Sequence, residues 1–140
     1  MEIIFLVGRI LFAVIFVASA LGHLTASGAM AGYAQSKGVP AAKASVIISG
    51  VVLLIGGLLI ATGYYGDLGA LLLVIFLIPT AFIMHAYWKE TDPMAKMNEQ
   101  VAFNKDISLA GAALIIFYLF AKFGNELGLV LGNPSFFNLG

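Results

Sequence analysis

The chain has no cysteine. That removes disulfides, thiolate metal sites and thiol catalysis, so any dithiol chemistry has to belong to a partner. Charge is also scarce: 10% of the 140 residues are charged, where a soluble domain carries about 25%. Seven basic and seven acidic residues cancel, which leaves no electrostatic footprint for nucleic acid. There is no glycine-rich phosphate loop behind a strand, no GxSxG and no HExxH. A conventional nucleotide enzyme or hydrolase therefore has no support. No metal site is expected either, because the two histidines and the acids lack tight ligand spacing.

Apolar length is what the chain has in quantity, at 61% hydrophobic residues. Its charge-free runs are Ile10–Ser36, Ala44–Gly66, Leu68–Trp88 and Ile107–Ala121. A membrane-spanning helix needs about 20 apolar residues. The second and third runs fit directly. The first fits if its helix starts near Ile3 and carries Arg9 inside. The fourth fits from Lys105 to Phe123 with its lysines snorkelling. The predicted fold is an all-α membrane protein, a four-transmembrane-helix bundle forming one domain over residues 1–140. Its helices cover about 3–24, 41–62, 68–88 and 105–123, with the lipid bilayer as solvent. Ala18-Ser19-Ala20 resembles a small-residue cleavage site, but the start holds Glu2 and no basic residue, and Arg9 interrupts the apolar core. The first helix is therefore read as uncleaved.

The connections carry their own signals. Ser36-Lys37-Gly38-Val39-Pro40 is turn chemistry before the second helix. The long loop before it predicts a short interfacial helix around Ala29–Ser36. Asp92-Pro93 predicts a second one over Met94–Val101. Gly63-Tyr64-Tyr65-Gly66 reads as a tight turn with Asp67 as N-cap of the third helix. Pro79 deprives the Ile75 carbonyl of its donor and predicts a kink. Residues 124–140 read as an interfacial tail. Small residues stripe the second helix (Ser45, Ser49, Gly56, Gly63) and the fourth (Ser108, Gly111, Ala112), where helix backbones can approach closely in lipid. The side holding both long loops carries Lys37, Lys43, Lys89, Lys96 and Lys105, against Arg9 and Lys122 on the termini side. Positive-inside bias then places loops 25–40 and 89–104 in the cytoplasm.

Chemistry-bearing residues gather at the two ends. Arg9 is an intramembrane charge with Asp67 or Glu126 as partner, read either as an ion pair or snorkelling anchor or as a receptor for an acidic or carbonyl-bearing ligand. His23 and His85 end the first and third helices and can face each other on the loop side. Trp88 follows His85 on the same helix face, Asn104 and Asp106 open the fourth helix, and Tyr33 can reach over from the first loop. Together they form either a plain interfacial belt or an aromatic-lined mouth able to donate, accept and shuttle protons.

These pieces carry a family resemblance over about Gly8 to Leu114. Arg9 with Ser19-Ala20-Leu21-Gly22-His23-Leu24, then Tyr33, Gly38-Val39-Pro40, Leu53-Leu54-Ile55-Gly56-Gly57, His85-Ala86-Tyr87-Trp88 and Phe103 to Leu114 follow the order and spacing of a DoxX-type membrane protein. The chain departs from that pattern at His23, where a lysine is common, at Asp106, where asparagine is usual, and around Val51-Val52, where many members carry a glutamate. The resemblance implies a four-helix protein of the bacterial cytoplasmic membrane, tied to quinone and thiol redox metabolism and often an accessory subunit.

Three functions follow as alternatives. The first is an accessory subunit that binds quinone or another lipid-soluble carbonyl compound, with electrons supplied by a redox partner protein, since the chain has no redox residue of its own. The second is a non-catalytic scaffold or assembly factor, as a homodimer or with other membrane proteins, packing through small-residue faces. The third is a lipid-pocket enzyme using His85, His23 and Asp106 in acid–base chemistry.

Overall fold

The computed structural model describes residues 1–139; Gly140, the last residue of the expected tail, lies outside them. Four helices are long and apolar enough to cross a membrane: α1 (Glu2–Thr25), α3 (Ala42–Thr62), α4 (Gly66–Met84) and α5 (Pro93–Phe123). A shorter helix, α2 (Ser27–Ser36), fills the first long loop. The described residues contain no strand. The protein is an all-α membrane bundle.

Packing follows the order α1 on α3, α3 on α4 and α4 on α5, with α2 laid against α3. The interior is built largely from small residues: Ala13, Ala20, Ala70, Ala81, Ala110 and Ala113 are all buried. Large aliphatics such as Ile4, Leu11, Ile75 and Ile115 face outward. This inversion is what a lipid solvent dictates, because tails are as apolar as leucine and close backbone approach decides association. The α3–α4 crossing shows it directly. A Cβ on Gly56 would fall 2.8 Å from Leu73 Cδ2 and 3.1 Å from the Gly69 carbonyl oxygen. The small residues of α3 are therefore consumed inside the bundle, whereas Gly111 on α5 has nothing near it.

Two elements differ from the sequence expectation. The short helix over 94–101 and the spanning helix from 105 are one continuous helix, α5. Asp92 caps it through Oδ2, 2.8 Å from the Ala95 amide, Pro93 occupies the first turn, and Ala102-Phe103-Asn104 contains no breaker. At about 1.5 Å per residue its 31 residues overrun a hydrocarbon core of about 30 Å, so its opening turns project from the bilayer. The third spanning helix ends at Met84 rather than Trp88. Beyond it the backbone breaks at His85, and Tyr87–Lys89 form a 3-10 turn that packs its aromatics on Phe103 of α5. Before that break, α4 continues through Pro79.

The tail is tied across the termini end. The Tyr65 amide donates to the Asn133 carbonyl, Gly66 to Pro134 and Leu131 to Thr62, at 2.7–3.0 Å. Asp67 is not the N-cap, a position held by Tyr65. Its buried carboxylate accepts instead from the Phe136 and Phe137 amides at 2.8 Å and from Ser135 Oγ at 3.0 Å.

Candidate functional site

On the loop side, α1, α2, α3 and the second half of α4 line a half-open cavity of about 350 Å³. Its wall is mainly apolar, with His23, Tyr33, Ser49, Thr80 and His85 as the polar residues that matter below. Helix geometry explains the convergence. His23 lies in the last turn of α1 and packs where α3 has Gly50. Tyr33 comes from α2, and His85 sits at the C-terminal break of α4.

Behind His85 runs a polar network centred on Glu99, a residue the sequence reading did not single out. Glu99 Oε2 lies 2.7 Å from His85 Nδ1. Glu99 Oε1 accepts from the Tyr33 hydroxyl at 2.8 Å and from Lys37 Nζ at 3.0 Å. Lys37 Nζ also donates to Glu90 Oε1 at 2.8 Å. On the other face of the ring, His85 Nε2 is 3.6 Å from Asp106 Oδ2, whose second oxygen is 3.6 Å from Lys105 Nζ. The Glu90 carboxylate, with Glu99 behind it, holds the Lys37 ammonium above the ordinary lysine range against the opposing effect of burial. Burial, reinforced by Glu99, pushes the Tyr33 phenol up. One signal could have found Glu99. It precedes Asp106 by seven residues, two turns on the same helix face, but only if 94–101 and 105–123 are read as one helix.

The other expected site residues lie elsewhere. Trp88 is half exposed and packs edge-on with Tyr87 and Phe103, away from the cavity wall. Asn104 is exposed. Asp106 is buried and reaches the site only through His85. The mouth envisaged from the sequence is thus two structures, a cavity and an adjoining aromatic turn. The reason is the early end of α4, which swings Trp88 off the face carrying His85.

At the opposite end Arg9 pairs with neither Asp67 nor Glu126 among the described residues. Its Nη2 donates to the Leu129 carbonyl, and its guanidinium lies 5.1 Å from the Phe5 ring centroid and 5.9 Å from that of Phe120. Nε and Nη1 are buried without an acceptor. Asp67 is unavailable because the tail amides occupy it. Gly63 leaves the space that Arg9 Nη1 fills.

No grouping of three or more metal-ligating side chains occurs among the described residues.

Comparison with known proteins places this geometry in a family. No solved structure matches the chain. It is 28% identical over 114 residues to the inner membrane protein YphA of Escherichia coli K12, covering 81% of each chain. The DoxX family model matches residues 4–86, from the start of α1 to just past His85. With the family pattern spanning α1 through α4 in a membrane bundle, the chain belongs to the DoxX family.

Proposed function

We propose that the loop-side cavity binds a small lipid-soluble molecule with a polar-substituted ring, of the quinone class, and that the protein serves as an accessory ligand-binding subunit of a membrane redox system. The observation that carries this reading is the cavity itself. A half-open, mainly apolar cavity of about 350 Å³ with His23, Tyr33 and His85 in its wall has the size and lining of a small-molecule site. Electrons come from a partner, because the chain contributes no redox side chain. The setting in this reading is a bacterial inner membrane, as the name of the E. coli relative states for that protein, with the lysine-rich loop side in the cytoplasm.

The scaffold reading keeps one observation, the open surface at Gly111 on α5. Its other half is weakened because the α3 glycines are already used within the chain. Native mass spectrometry with lipid extraction, on protein in native-lipid discs, separates the two. A ring compound should co-purify stoichiometrically with wild type and with Trp88→Ala, which lies outside the cavity. It should be lost from Thr80→Phe, which fills it. Bulk phospholipid alone in all three would sink the cavity reading and turn the search to protein partners.

A further inference from the structure

Which ligand group the cavity accepts follows from where its protons are already committed. Six lining side chains carry a hydroxyl or ring nitrogen: His23, Tyr33, Ser45, Ser49, Thr80 and His85. Tyr33 donates to Glu99 at 2.8 Å. Ser45 donates to the Pro40 carbonyl and Ser49 to the Val46 carbonyl, each at 2.8 Å. His85 Nδ1 faces the Glu99 carboxylate, which only accepts, so that nitrogen carries the proton.

His23 is settled by the same reasoning. Its Nδ1 lies 2.7 Å from Ser49 Oγ and 3.3 Å from the Val46 carbonyl oxygen. The carbonyl cannot donate, and the serine hydroxyl lies within reach of that carbonyl at 2.8 Å. A proton on Nδ1 satisfies both contacts with the serine still bonded to the carbonyl. A bare Nδ1 would draw the serine proton away and set a lone pair against the carbonyl. The first arrangement is the better satisfied one, and in the neutral ring it leaves Nε2 as a bare lone pair. Nε2 makes no hydrogen bond and is not among the sealed polar atoms, so it is open at a cavity-lining residue. Only the Thr80 hydroxyl keeps an uncommitted proton, and it can accept equally well.

We infer that the cavity selects its ligand through a hydroxyl donated to His23 Nε2, and so takes a lipid-soluble phenol or hydroquinone in preference to the matching carbonyl or ether compound. This rests on the cavity reading above and names its ligand class. A ligand carbonyl would meet acceptor against acceptor at His23, whereas a hydroxyl donates to the open Nε2 lone pair.

The test uses 4-pentylphenol and 4-pentylanisole, which differ by one O–H capped with methyl, together with a pentyl-benzoquinone and its hydroquinone kept reduced under argon. Binding to the full chain in lipid discs is read by native mass spectrometry titration. Phenol should bind about tenfold more tightly than anisole, and hydroquinone more tightly than quinone. His23→Phe should erase both preferences while the phenol and anisole still enter. His23→Leu, a smaller apolar change that also removes Nε2, should do the same even if His23→Phe fails to fold. Equal affinity for phenol and anisole, tighter quinone than hydroquinone, or preferences that survive in both variants would overturn the hydroxyl assignment and leave the cavity standing. Failure of all four probes to bind wild type would overturn the cavity reading and this inference together.

Discussion

The two ends of the bundle handle buried charge in opposite ways. At the loop end, titratable side chains face one another: Asp106, His85, Glu99, Lys37 and Glu90 form a chain of pairs beside a cavity. At the termini end the two buried charges, Arg9 and Asp67, do not meet. Each is held by main-chain groups of the tail, the Leu129 carbonyl for one and the Phe136 and Phe137 amides for the other. Main-chain partners have no alternative rotamers or protonation states. Side-chain pairs can exchange protons and partners. The loop end can thus respond to protonation, whereas the charges at the termini end are fixed by the tail, beside a second cavity of about 650 Å³ lined by Arg9 and Glu126.

The comparison breaks most severely at Asp67. Asp67→Ala leaves the Leu68, Phe136 and Phe137 amides and the Ser135 hydroxyl without their acceptor, at a cost of about 3 kcal/mol. The unfolding temperature in lipid discs should fall, and limited proteolysis should release residues 127–139. A tail as resistant as wild type would show that the anchor lies elsewhere. Glu99→Ala removes the shared acceptor of Tyr33, Lys37 and His85 at a mostly buried site, so about 2 kcal/mol is expected, with the tail still protected. Tail release in this variant would mean that the ends are coupled. Arg9→Met should change stability by about 1 kcal/mol or less, and toward gain, because replacing a buried charge by an apolar side chain of similar volume removes its desolvation penalty. A loss of several kcal/mol would show that the cation–aromatic contacts with Phe5 and Phe120 outweigh that penalty.

A pH titration sharpens the contrast from the other side. Lys37 and Tyr33 both lose their protons at higher pH in the folded protein than when unfolded. Their contribution is complete at neutral pH and declines once pH rises above about 10, where the unfolded chain deprotonates first. Stability should therefore fall in strongly alkaline buffer, and Lys37→Met with Tyr33→Phe should flatten that fall. An unchanged alkaline slope in the double variant would remove these two groups as its source.

Reading the chain residue by residue recovered the number of spans and most of their limits, because lipid imposes length and apolarity on each helix independently of the others. The aromatic end of α4 is more instructive. His85 and Trp88 stand three apart, a spacing that shares a face only while the helix lasts. The helix ends at Met84, and the two part company. Glu99 was missed for the complementary reason: a break was read into α5 where the chain has none. Arg9 was recognised as buried, yet its partner was sought among acids rather than in a backbone carbonyl 120 residues away.

Composition and periodicity by themselves determined the solvent, the helices and which residues are chemically capable, since these depend on local hydrophobicity and on hydrogen bonds within one segment. Only the tertiary structure decided which capable residues meet. Helix length beyond the bilayer brought Glu99 to His85. The folded-back tail took Asp67 from Arg9. Packing of α1 on α3 brought His23 Nδ1 to the Ser49 and Val46 oxygens, because a hydrogen bond is settled by the partner that packing supplies.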